Sequence, residues 1–196
     1  RASAEGSAEN LPLDRDDIWQ CVIPLYHIGG LAILTRSLFA GSAVLLHEGF
    51  SPVEIRDALL HRNVTITSLV PTMLHRLFEG DEKLRGAGLP QLRAVLLGGA
   101  GAPDSLWDLI RTRALPVVGT YGLTESCAQV ATADPLRWSE EAGTAGRPLR
   151  GVDIAIRSET GQVCAADMPG EILLRGAMLA AEYYRNPRAT EAAFRD

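Results

Sequence analysis

The chain has 196 residues, of which 46% are apolar and 22% charged, with a formal charge of −5. That is enough chain to bury a core and too apolar a composition for disorder, and the negative charge gives no general attraction to nucleic acid or anionic lipid. No run approaches the roughly 20 apolar residues of a membrane span, residues 1–10 lack the apolar centre of a signal peptide, and Cys21, Cys127 and Cys164 are too far apart for a metal or redox pair, which favours reduced thiols in a cytoplasm.

In chain order, residues 1–15 read as the tail of a helix plus a linker, with no indication of what they pack on. Ile18 to Ile23 alternates weakly, as a strand does, and delivers Pro24-Leu-Tyr-His27 to a loop. Gly29-Gly30 opens a helix over Leu31 to Phe39 that Gly41 ends, and Ala43 to His47 is strand-like again. Pro52 sits just inside a helix running to about Arg62, Val64 to Val70 is a strand rich in β-branched residues, and Pro71 begins a helix to about Glu79. A polar, glycine-containing loop is expected over residues 80–90. Arg93 to Leu97 is a short apolar run ending in Gly98-Gly-Ala-Gly-Ala-Pro103, followed by a helix over Asp104 to Arg113. Leu115 to Val118 is a second short buried strand, expected to stop at a functional loop that begins with Gly119. Strands alternating with helices at this spacing indicate an α/β fold, a parallel sheet with flanking helices and right-handed crossovers.

After Asp134-Pro135 the texture changes. Val152 to Arg157 alternates with period two, Thr160-Gly161 marks a turn, Glu171 to Arg175 alternates less cleanly, and Asn186-Pro187 opens a polar helical tail. This divides the chain into an α/β part, residues 1–135, and a small antiparallel β-rich lobe with a C-terminal helical tail, residues 136–196.

The chemistry concentrates at the ends of the two apolar runs. If those runs are neighbouring parallel strands, both loops leave the carboxyl edge of the sheet, where open α/β sheets bind ligands. The backbone from Gly98 to Pro103, nearly free of side chains, would lie against one face of an adenine while Tyr121 covers the other. Thr124 offers a hydroxyl to a phosphate oxygen, and Glu125 offers a carboxylate of the kind that holds Mg²⁺ together with substrate phosphates. A turn with a helix cap at Thr124 and a solvated carboxylate at Glu125 is the alternative.

Gly98-Gly-Ala-Gly-Ala-Pro103, Tyr121-Gly-Leu-Thr-Glu-Ser126 and Pro169-Gly-Glu-Ile-Leu-Leu-Arg-Gly176 resemble, in order and spacing, the adenylate-forming superfamily of acyl-CoA synthetases, luciferases and peptide-synthetase adenylation domains. Pro24-Leu-Tyr-His-Ile-Gly-Gly-Leu31, Val70-Pro-Thr-Met-Leu74 and Gln129-Val-Ala-Thr132 look most like its o-succinylbenzoate:CoA ligases. The resemblance implies the large N-terminal domain of such enzymes and an acid–thiol ligase reaction using ATP, Mg²⁺ and coenzyme A. On it, Gly99, Ala100, Gly101, Ala102, Pro103, Tyr121, Gly122 and Thr124 bind the nucleotide. Glu125 holds the metal, and His27, Thr124 and Glu125 are catalytic.

The acyl pocket is expected to draw its walls from Tyr26, Gly29, Gly30, Ser68, Val70, Gly122 and Gln129. Arg36, two helical turns from Ile28 and Gly29, is the candidate to pair a second substrate carboxylate through its planar fork, with a surface arginine as the alternative. A core histidine is the alternative for His27, and Arg147 and Arg150 are weaker candidates for the acid. A Ser/Thr/Gly-rich phosphate loop, a ribose-binding aspartate and a catalytic lysine belong to the family pattern but not to this sequence. The expected protein is therefore the middle of a larger ligase, inactive by itself, whose partners are its own missing N- and C-terminal parts and small molecules, with a homodimer allowed by an open sheet edge. A fatty or aryl acid:CoA ligase, or a non-catalytic nucleotide-binding module, are the competing readings.

Overall fold

The computed structural model describes residues 1–79, 84 and 88–194; most of the loop expected over 80–90 lies outside them. A seven-stranded sheet runs in the order β2-β1-β3-β4-β5-β6-β7, and β8 and β9 form a separate antiparallel pair. The strands are β1 (Ile18–Cys21), β2 (Ala43–Leu46), β3 (Ile66–Leu69), β4 (Ala94–Leu97), β5 (Val117–Leu123), β6 (Ala128–Thr132), β7 (Arg147–Pro148), β8 (Val152–Arg157) and β9 (Glu171–Gly176). The helices are α1 (Ala2–Asn10), α2 (Ile28–Ala40), α3 (Pro52–His61), α4 (Pro71–Phe78), α5 (Asp104–Arg113) and α6 (Pro187–Ala193). Pairing from β2 through β5 is parallel, as the alternation of strands and helices predicts, while β6 and β7 add antiparallel.

Helix limits follow local chemistry. Gly41 ends α2 at φ 74°, a left-handed angle that suits glycine, with its N–H on the Ser37 carbonyl. Ser51 caps α3 by accepting from the Glu54 N–H, with Pro52 at the first helical position. Asn186 caps α6 by accepting from the Ala189 N–H at 3.2 Å.

All four residues of β3 and of β4 are buried, as befits central strands covered on both faces. Alternation along β4 sends Val95 and Leu97 into a core with α3, α4 and α5, through Ile55, Leu74, Leu77, Trp107 and Ile110. Ala94 and Leu96 enter a second core with Trp19, Ile33, Ile66 and Val118. A third, smaller cluster of Val130, Leu149, Val152 and Met178 joins the β8–β9 pair to β6.

The amino edge of the sheet is tied by one buried acid. Asp17, 4% exposed, accepts from Arg93 Nε at 2.9 Å and Nη2 at 2.7 Å, from Thr65 Oγ1 at 2.7 Å and from the Asp14 N–H at 3.0 Å. These residues immediately precede β1, β3 and β4. Burial alone would raise the Asp17 carboxyl, but the bonds from Arg93 and Thr65 outweigh it and hold the group below the ordinary aspartate value.

Two expectations change. Residues 119–123 are not a loop: β5 continues to Leu123, pairing antiparallel with β6 and shifting register between Tyr121 and Gly122. The ladder to β6 holds the segment. Residues 1–15 also have a definite seat, since α1 packs on α2 and β6.

Candidate active site

The carboxyl ends of β4 and β5 emerge side by side. Leu97 is in register with Gly119, and a side-chain carbon built on Gly98 would stand 3.0 Å from the Thr120 carbonyl oxygen. Beyond that point the two segments wall one cavity of about 360 Å³, lined by Gly99, Ala100, Gly101 and Ala102 on one side and by Gly119, Thr120, Tyr121 and Gly122 on the other. Leu97, Trp107, Gly143, Thr144 and Ala145 complete it. A side chain at Gly119 would run into the Thr144 carbonyl and one at Gly122 into the Ala128 carbonyl, so both glycines are demanded by close backbone approach. Pro103 stands outside this wall as the N-cap of α5.

A second cavity of about 610 Å³ shares Gly99, Thr120 and Gly122 with the first. Its walls include His27, Gly29, Arg36, Ser68, Val70, Thr124 and Gln129, together with apolar Trp19, Ile23, Ile33, Met73 and Leu96. Residues as far apart as His27 and Gln129, 102 positions along the chain, thus meet at one cavity. Tyr26 and Gly30 are not among the lining residues. Tyr26 is 86% exposed, its ring 4.8 Å from that of His27 in a turn closed by the His27 N–H on the Pro24 carbonyl. Gly30 is buried where any side-chain carbon would meet the Ile23 and Pro24 carbonyl oxygens at 2.5 Å, so its task is to let α2 approach that turn. Arg147 and Arg150 also lie off the cavity; Arg150 pairs with Glu9 at 2.5 Å.

Arg36 is no surface residue. It is 6% exposed, and burial pushes its guanidinium down to about 10, still charged at neutral pH. Nη1 donates to Gln129 Oε1, whereas Nη2 has no partner, and no described carboxylate pairs with the group. Arg36 also borders a cavity of about 310 Å³ between α1 and α2. Its burial was readable in part: Ile33, Arg36 and Ser37 follow the three- and four-residue spacing of one helix face, and all three are buried. Ser68 accepts from Trp19 Nε1 at 3.1 Å, which fixes its hydroxyl oxygen at the cavity wall.

Thr124 and Glu125 sit on a 3₁₀ turn, Thr124–Ser126, between β5 and β6. Ser126 Oγ accepts from the Leu123 N–H at 3.1 Å and lies 2.9 Å from the Ala128 carbonyl oxygen, which closes the turn. Two non-glycine residues after it, Cys127 and Ala128, take φ 53° and 88°. The Glu125 carboxylate accepts from the Tyr183 hydroxyl, a partner 58 positions away that local sequence does not reveal. That bond, with one from its own N–H, holds the carboxyl below its ordinary value. Among the described residues no cluster of three acids, histidines or cysteines could hold a metal ion. A single carboxylate nonetheless fits Mg²⁺ when phosphates and water supply the other ligands. Among the described residues, no helix is long and apolar enough to cross a membrane.

Known proteins resemble this chain over nearly its whole length. The 2-succinylbenzoate–CoA ligase of Bacillus licheniformis is 39% identical over 194 residues, which cover 99% of this chain and 40% of the relative. The structure of o-succinylbenzoate coenzyme A synthetase from Bacillus subtilis, in complex with ATP and magnesium ion, superposes with a TM-score of 0.88 at 38% identity, over 99% of this chain and 40% of that one. A Mycobacterium tuberculosis fatty acyl CoA synthetase superposes at 0.84 with 25% identity, over 100% of this chain and 38% of that one. The chain thus spans about 40% of the length of the ligases it matches. The family model described as AMP-binding enzyme matches residues 2–184, and the chain belongs to that family.

Proposed function

We propose that the chain is the central part of an ATP-dependent acid:coenzyme A ligase, one that activates o-succinylbenzoate, an acid of menaquinone synthesis, as the acyl-adenylate and passes it to coenzyme A. The weak nucleophile is a carboxylate and the electrophile a crowded phosphate, so positioning and charge dominate the catalysis. In this reading adenine enters between Tyr121 and the backbone of Gly99 to Ala102. Thr124 contacts a phosphate oxygen, and Glu125 would hold Mg²⁺, which offsets the phosphate charge when bound. His27, on the wall of the larger cavity, donates to an oxyanion near the thiol entrance. Residues 1–135 carry these sites and residues 136–196 form a smaller lobe, with β7 lying across that division.

The observation that carries the choice of acid is Arg36, a buried cation on the cavity wall with one nitrogen unpaired and no acid beside it among the described residues. A buried charge is costly until it is paired. An acid with a second carboxylate supplies that pairing; a fatty or simple aryl acid does not. The enzyme would act in a cytoplasm, and β2, bonded to β1 alone at the sheet's edge, offers a surface for pairing two copies.

The test is ATP–pyrophosphate exchange by the full-length ligase with o-succinylbenzoate, benzoate and octanoate. Exchange should be fastest with o-succinylbenzoate, and Arg36→Ala should raise its KM by about 30-fold or more. Equal exchange with octanoate, or indifference to the substitution, would overturn the reading.

A further inference from the structure

Gln129 was expected to touch substrate, but its amide has nothing left to offer one. Oε1 accepts from Arg36 Nη1 and, at 3.1 Å, from Ser7 Oγ on α1. Nε2 donates to Thr120 Oγ1 at 3.3 Å and to Thr132 Oγ1 at 3.1 Å. An amide has two acceptor sites and two donors, and all four are taken. The orientation is forced: the Thr132 hydroxyl spends its proton on the Ala131 carbonyl at 2.8 Å, so toward Gln129 it can only accept. The amide nitrogen must then face Thr132, which turns the oxygen to Arg36. Gln129 itself is 8% exposed.

The group that fixes Arg36 is therefore neutral. A carboxylate on the same backbone would reach the same guanidinium and cancel its charge from within the protein. We propose that Gln129 is a specificity-determining positioning residue: its amide anchors one arm of the Arg36 fork without neutralising it, so the cavity keeps a positive charge that only an acid with a second anionic group satisfies. This rests on the reading that Arg36 pairs with such a group. It assigns the selection between dicarboxylic and monocarboxylic acids to position 129 as well as to position 36, and gives α1 a part in it through Ser7.

The experiment compares o-succinylbenzoate with 4-oxo-4-phenylbutanoate, the same acid without its ring carboxylate, in the full-length ligase. Adenylation kinetics are measured for wild type, Gln129→Glu, Gln129→Met and Arg36→Met, with melting curves to confirm folding. The readout is the ratio of kcat/KM for the two acids. Gln129→Glu should lower that ratio by about 100-fold and Gln129→Met by about 10-fold, through KM rather than kcat. Wild-type ratios in both position-129 variants, alongside a collapsed ratio in Arg36→Met, would overturn the role of Gln129 and leave that of Arg36 standing. An unchanged ratio in Arg36→Met would overturn the underlying reading. If Gln129→Glu fails to fold, Gln129→Met decides: an unchanged ratio there overturns the proposal.

Discussion

Two buried charges beside the parallel sheet are treated in opposite ways. At the amino edge Asp17, 4% exposed, is met by a fork, a hydroxyl and a backbone N–H, and the cluster ties together the residues leading into β1, β3 and β4. On the wall of the larger cavity Arg36, 6% exposed, has Nη1 held by a neutral amide and Nη2 held by nothing. Both are buried ions in the same small fold. The first is arranged to stabilise the protein, and the second is arranged for something that arrives later. Burial by itself therefore says little about a charged residue's task; the completeness of its partners says more.

Four substitutions test that contrast. Asp17→Asn should destabilise the protein most, by about 3 kcal/mol, because it leaves the Arg93 fork with a neutral partner. Urea denaturation measures it. The Asp17 carboxyl is depressed in the folded state, so its contribution is present above the ordinary aspartate value and is lost as pH falls through the folded one. The gap between wild type and variant should then begin to close below about pH 4 and narrow further as pH falls through the lower folded value. A constant gap down to pH 2 would remove the ion-pair account.

Gly122→Ala should cost about 2 kcal/mol by forcing a side-chain carbon against the Ala128 carbonyl. Because Gly122 borders both cavities, calorimetric titration should show weaker binding of nucleotide and of acid together. Arg36→Met should run the other way, leaving stability unchanged or raising it by about 1 kcal/mol, since an apolar chain of similar length suits that wall better than an unpaired charge. A loss like that of Asp17→Asn would show Arg36 to be part of the frame. Tyr183→Phe should have the smallest effect. Without the donated hydroxyl the Glu125 carboxyl should titrate at higher pH than in wild type, followed by carbon NMR, with little change in melting temperature.

Much of this was legible because the signals were local. Gly41 bounded α2 and Pro52 bounded α3 to within a few residues, and the β-branched stretch at 64–70 and the apolar run at 93–97 gave the central strands. The extension of β5 was not legible: Gly119 to Leu123 has no hydrophobic alternation, and it becomes strand only because Ala128 to Thr132 folds back on it. Tyr26, expected on the pocket wall because it flanks a loop at the same sheet edge, is exposed and outside the lining, in the turn that the Pro24 carbonyl closes. Partners such as Tyr183 for Glu125, or Ser7 for Gln129, lie 58 and 122 positions off and carry no mark in their own neighbourhoods.

Tyr121, Thr124, Glu125 and Gln129 all belong to one hairpin, the two strands from Val117 to Thr132 and the turn that Ser126 closes. In the proposed reading, base, phosphate and cation are thus gripped, and the arginine that meets the acid is anchored, by a single tongue. Sliding it by one pairing step would withdraw every grip together, so a change that shifts its register, unlike a single side-chain exchange such as Gln129→Met, should weaken all the ligands in common.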